Sequence, residues 1–140
     1  MSKLQARVRV DFPGDCSIGP GKISLLEGVE RTGSLSAAAR DLGMSYRRAW
    51  LLLHNTNAAF HEPVAELAVG GKDGGGAQLT AFGRRLIVDF RAFEEAVDEL
   101  AARSFGALRV TGRAAPGQGI ARPPRREPGV ARTRKTGKTG

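Results

Sequence analysis

The chain has 140 residues, room for one compact domain with or without an appendage, and a formal net charge of +8 from 22 Lys and Arg against 14 Asp and Glu. No apolar run approaches the roughly 20 residues that a membrane-crossing helix needs, and none near the start reads as a secretory signal. The single cysteine, Cys16, can form neither an internal disulfide nor a thiolate metal site, so a reducing, cytoplasmic setting is expected.

Residues 6–12 alternate apolar and polar, with Val8, Val10 and Phe12 on one side, and predict a short strand closed by Pro13 and Gly14. Pro20 suits the first turn of a helix, where its missing N–H is unpaired in any case. Ile23, Leu25, Leu26 and Val29 give that helix an apolar stripe, and Thr32-Gly33 ends it. Ser34 or Ser36 can cap a second, short helix through Leu42, whose Ala37-Ala38-Ala39 run permits close approach by another helix. Gly43 breaks it. Ser45 can cap a third helix from Tyr46 to about Phe60, stopped by Glu62-Pro63. Residues 64–69 and 77–80 read as two strands of a hairpin with a glycine-rich tip, Gly70 to Gly76. Thr80 then caps a long fourth helix to about Arg103. Phe82, Leu86, Phe90, Phe93, Val97 and Leu100 recur along it at steps of three and four, a sustained apolar seam.

This order predicts a mainly α fold with a small β-hairpin, namely a winged helix-turn-helix with a long C-terminal helix. Around Gly43, Leu42 and Met44 are expected to point inward, and Ala49 and Leu52 to pack on the second helix. On the third helix, Ser45, Ala49, Leu52, Leu53, Thr56 and Phe60 share one face. Arg47, Leu51, His54 and Ala58 lie opposite, with Arg48 and Trp50 at the flanks. Trp50 is read as a packing residue. Tyr46, Arg47 and Arg48 sit at the exposed start of the helix. There an Arg can donate two hydrogen bonds to a guanine edge or pair with phosphate; taken alone, the two arginines would equally suit a solvated face.

The charge is not spread evenly. Residues 1–103 hold 13 basic and 13 acidic side chains, and the whole excess lies in residues 104–140, with nine basic and one acidic. That stretch also has seven Gly and four Pro and few large apolar residues, so it reads as a disordered basic tail. It is either a plain solvated extension or a nonspecific nucleic-acid arm. Its end, Gly137-Lys138-Thr139, mimics the close of a phosphate-binding loop, but Arg132 stands where the first glycine belongs. His54 and His61 form no acid–base pair or metal-ligand spacing. No enzymatic activity, cofactor or metal is expected.

Ser45-Tyr46-Arg47-Arg48-Ala49-Trp50, residues 70–87 (GGKDGGGAQLTAFGRRLI) and residues 33–42 (GSLSAAARDL) together closely resemble the N-terminal domain of molybdate-responsive transcriptional regulators, the ModE family. Through the SAAARDL segment the chain is more distantly similar to the DNA-binding domain of LysR-type regulators. The likeness covers roughly residues 18–100. It implies a winged-helix domain that dimerises through its last helix and binds a two-fold-symmetric operator in double-stranded DNA, the target genes being those of molybdate and molybdoenzymes. By that likeness the recognition helix begins at Ser45, Tyr46 and Arg47, and the wing tip is Gly70 to Gly76, with Lys72 its one cation.

The expected DNA contacts are therefore Ser36, Ser45, Tyr46, Arg47, Arg48 and Lys72. The expected dimer seam is Phe82, Leu86, Phe90, Phe93, Val97 and Leu100. Full-length family members carry C-terminal oxyanion-binding domains. Only the basic tail follows Arg103 here, so molybdate sensing within this chain is not expected. An alternative is an adaptor or interaction module that acts with a separate effector-sensing chain.

Overall fold

Pro13 and Gly14 turn the chain back on itself instead of ending a lone strand. In the structure, a computed structural model that describes residues 4–68 and 76–113, β1 (Val10–Phe12) pairs antiparallel with β2 (Cys16–Ile18), Val10 facing Ile18 and Phe12 facing Cys16. The expected strand over residues 6–12 is thus shortened to its last three residues, because its partner offers only three. Cys16 is the first residue of β2 and is partly buried.

Three helices follow: α1 (Pro20–Thr32), α2 (Leu35–Asp41) and α3 (Tyr46–Ala59). Each start has a local cause. Pro20 occupies the first turn of α1. Ser34, and not Ser36, caps α2 by accepting the Ala37 N–H at 3.1 Å. Ser45 does the same for α3, accepting the Arg48 N–H at 3.1 Å. Between α2 and α3, Gly43 has φ 66°, a left-handed turn that a side chain would strain. Met44 packs against the core beyond this turn, whereas Leu42 is 41% exposed and does not point inward as expected.

A second hairpin, β3 (Ala65–Leu67) with β4 (Ala77–Leu79), lies before α4 (Ala81–Phe105). Its base is extended by a bridge between Ser34 and Gly76 and by the Ala77 N–H donating to the Gly33 carbonyl at 3.0 Å. The α1–α2 connector therefore acts as a rudimentary third strand beside the hairpin. The core gathers Ile23, Leu25 and Val29 from α1, Leu35 from α2, Leu53 from α3 and Val64 from the approach to β3, each at most 2% exposed. A chain of edge-on rings, Phe12 on Phe60 and Phe60 on Phe82, ties β1, the end of α3 and the start of α4.

The helix α4 has 25 residues, about 37 Å of length, and ends two residues past the expected stop. Its start explains the spacing in Leu79-Thr80-Ala81-Phe82-Gly83. Thr80 caps the helix by accepting the Gly83 N–H at 3.0 Å, and its hydroxyl donates to the Pro63 carbonyl at 2.7 Å. A Cβ on Gly83 would lie 2.0 Å from the Val64 carbonyl oxygen, so only glycine lets α4 seat on this segment. The compact unit that these elements form extends to Leu108. No helix among the described residues is long and apolar enough to cross a membrane.

Gly83→Ala should destabilise the chain by about 3 kcal/mol or more, since the atom it meets is rigid backbone. Gly21→Ala, where no heavy atom lies within 4 Å of the added Cβ, should be neutral or mildly stabilising. Urea unfolding followed by circular dichroism checks both.

Candidate nucleic-acid interface

The first turn of a helix leaves backbone N–H groups without intrahelical partners. In α3 the Ser45 cap takes the Arg48 amide, which leaves the amides of Tyr46 and Arg47 as donors at the positive end of the helix dipole. Around them stand exposed side chains. Tyr46 is 45% exposed, and Arg47 and Arg48 are exposed. Among the described residues neither arginine forms an ion pair. The nearby acid at the end of α2, Asp41, is engaged by Arg31 at 2.8 Å. Both members of that pair are more than half exposed, so it adds little stability.

The buried side of α3 is the expected one. Ala49, Leu53 and Thr56 are buried, and Leu52 and Phe60 are partly buried against the core. Trp50 departs from expectation. It is 38% exposed and stacks flat on His54, ring centroids 4.8 Å apart and planes 7° from parallel. Its place on the outer flank, one turn along from Tyr46, keeps it off the core.

Beside the start of α3 lies a shallow concavity lined by Ser34, Ser36, Ala37, Arg40, Met44 and Tyr46. Ser36, free of capping duty, faces it. So does Arg40, which the sequence reading missed. The signal was available, because Ser36 and Arg40 are four residues apart on α2 and share a face. The structure thus brings Ser36, Arg40 and Tyr46 to this concavity, while Ser45, Arg47 and Arg48 line a second, neighbouring one with Leu51 and Leu52. Lys72 and the expected wing tip from Gly70 through Gly75 lie outside the described residues.

What fixes α3 against the base of the wing is Asn57. Its amide oxygen accepts the N–H of Val64 at 2.8 Å and of Ala65 at 3.3 Å, and its amide nitrogen donates to the Ala65 carbonyl at 3.0 Å. One side chain thereby satisfies three backbone groups in the turn from α3 into β3.

The seam of α4 divides. Phe90 is 5% exposed, and Phe82 and Leu86 pack partly buried on the same core. Phe90 is therefore corrected from an intermolecular to an intramolecular position, because the first half of α4 lies against α1. Arg91 fastens that contact. Its guanidinium donates to Glu27 of α1 and to Glu94, and these bonds, Glu27 first, raise its pKa further above the ordinary arginine value. Beyond Arg91, Phe93 is 38% and Leu100 54% exposed, and Val97 is partly buried.

A helix, a left-handed glycine turn, a second helix with an exposed start, and a β-ribbon beside them define a winged helix-turn-helix. No protein-family model matches the chain. The DNA-binding domain of CbnR, solved in complex with DNA, superimposes with a TM-score of 0.51 at 24% identity, covering 64% of this chain and 97% of that one, which establishes the shared fold.

In sequence the chain is similar to the molybdenum transport protein ModE of Azotobacter vinelandii, 36% identical over 106 residues. It is also similar to the molybdenum-pterin-binding protein MopB of Rhodobacter capsulatus, 45% over 83 residues, and to the DNA-binding transcriptional dual regulator ModE of Escherichia coli (strain K12), 46% over 85 residues. These matches cover 73%, 59% and 61% of this chain and only 39%, 31% and 29% of the relatives. The resemblance to ModE regulators read from residues 33–42, 45–50 and 70–87 is thus borne out over the N-terminal 60–70% of the chain. The chain spans about a third of the length of the curated relatives it matches.

Asn57→Ala should cost about 2 kcal/mol, because it strands buried backbone amides at Val64 and Ala65. Hydrogen exchange should accelerate at those two amides more than at the α1 core, and uniform acceleration would show that Asn57 is not a local staple.

Proposed function

We propose that this chain is a sequence-specific DNA-binding transcriptional regulator that works as a homodimer on a two-fold-symmetric operator. The observation that supports the reading is the start of α3, where Tyr46, Arg47 and Arg48 are exposed, neither arginine is ion-paired among the described residues, and the first-turn backbone amides lack intrahelical partners. Such a surface matches duplex DNA in both charge and hydrogen bonding. In this reading α3 enters the major groove. Arg47 reads a guanine edge, Arg48 and Tyr46 hold base or backbone, and the first-turn amides take a phosphate. Ser36 and Arg40 of α2 contact the adjoining phosphates. Lys72 serves a neighbouring phosphate from the wing.

The residues available for a second copy are Phe93 and Leu100, exposed on the distal half of α4 among the described residues, with the partly buried Val97 between them. The similarity to ModE proteins supports target genes concerned with molybdenum. The basic side chains of residues 104–140, a stretch whose first two residues complete α4, serve as a sequence-independent arm that raises affinity on any duplex. The same α4 face would also accept a different, effector-sensing chain, the adaptor reading. Sedimentation of the purified chain discriminates, since a dimer supports self-pairing and a monomer that binds its site only with a partner supports the adaptor.

Arg47→Ala should cost about 1–3 kcal/mol on the preferred site and much less on unrelated duplexes. Equal losses on every sequence would make Arg47 a phosphate contact. Deleting residues 114–140 should weaken binding to all duplexes and flatten the dependence of affinity on salt. An unchanged salt slope would remove the tail from the interface.

A further inference from the structure

Trp50 is the chain's one tryptophan and lies on the surface. A tryptophan contributes most when its large ring is removed from water, so an indole left 38% exposed has contact area to offer a partner. His54 is stacked on it, 4.8 Å away and 7° from parallel, which holds both rings in one orientation. A pre-oriented ring loses less conformational freedom when a partner arrives. Leu51, 42% exposed, adjoins it on the outer face.

The surroundings say what kind of partner fits. Arg47 stands one turn before Trp50 and Arg48 one turn before Leu51, neither ion-paired among the described residues, and both lie at the positive end of α3. An apolar protein surface would leave those cations desolvated and unmatched. A duplex matches both features, because its phosphates meet the arginines and its groove floor carries one kind of apolar group. In the major groove that group is the 5-methyl of thymine. Trp50 lies three residues past Arg47, close to one helical turn of 5.4 Å further along. It therefore faces bases neighbouring the one met by Arg47.

We infer that Trp50 is a specificity-determining residue that packs on thymine 5-methyl groups, with His54 as the positioning residue that holds its ring. This rests on the reading of α3 as the groove-entering helix. It adds a thymine preference beside the base read by Arg47.

The test uses the full chain and a duplex recovered from a random pool by repeated selection. Each thymine is replaced in turn by deoxyuridine, which removes the methyl and nothing else. The wild type should lose about fourfold in affinity per contacted methyl, the equivalent of about 0.8 kcal/mol for one buried carbon group. Trp50→Ala should bind the thymine and deoxyuridine duplexes alike, and His54→Ala should shrink the difference while leaving the guanine preference unchanged. If the variants do not fold, the wild type still reports, since its single indole should be quenched by the thymine duplex and less so by the deoxyuridine one. Specific, tight binding with no thymine-to-deoxyuridine difference at any position would overturn the inference and leave the DNA-binding reading standing. A full difference retained in Trp50→Ala would also overturn it. Failure of the selection to enrich any sequence would instead remove the groove-entering reading itself.

Discussion

The short segment from Pro63 to Ala65 is the point on which the rest of the domain turns. Asn57 of α3 grips it from one side through three hydrogen bonds. Thr80 and the bare backbone of Gly83 receive it from the other, with the Thr80 N–H donating to the Val64 carbonyl at 3.0 Å. Three elements that differ in direction thus share one stretch of extended chain. The consequence is mechanical. The recognition-helix candidate, the base of the hairpin and the start of α4 cannot move separately without breaking buried polar contacts, each costly to leave unmade. A reading head needs that kind of rigidity, because contacts with base edges demand fixed geometry.

The balance of charge in residues 1–103 makes placement, not amount, the source of any selectivity. Thirteen acids oppose thirteen bases there, and several of the acids are already engaged. Glu27 and Glu94 are engaged by Arg91 at the α1–α4 contact, and Asp41 is engaged by Arg31. Among the described residues the arginines of α3 form no ion pair, which suits the proposed contact with phosphate and base edges. Exposed cations beside a flat, exposed aromatic pair form a surface that combines electrostatic attraction with apolar complementarity. The proposed tail would add only the first of these.

Much of this was legible in the residues because local signals and global fold agree. Ser45 before an amphipathic run, Gly43 at a left-handed turn and Thr80 before a long seam each specify an element by themselves. The first hairpin escaped notice because Cys16-Ser17-Ile18 is too short to display alternation. Trp50 reads as core because a large aromatic residue at the flank of a wheel ordinarily is, and its stacking on His54 leaves no trace in the sequence pattern. Phe90 was assigned to an interface because periodicity cannot distinguish a seam covered by the chain itself from one covered by a copy. Arg40 was overlooked although it shares a face with Ser36. The grip of Asn57 could not have been read at all, since it depends on a contact between side chain and backbone across a turn.

On the proposed function, the outer face of α3 is the surface that meets duplex DNA. The most direct measurement is a titration of isotope-labelled protein with a selected duplex, followed by nuclear magnetic resonance. The largest shifts should fall on the amides of Tyr46 to Arg48 and on the Trp50 indole N–H, with smaller ones at Ser36 and Arg40. Shifts that mapped instead to α1, or only to the distal half of α4, with the start of α3 unmoved, would contradict it.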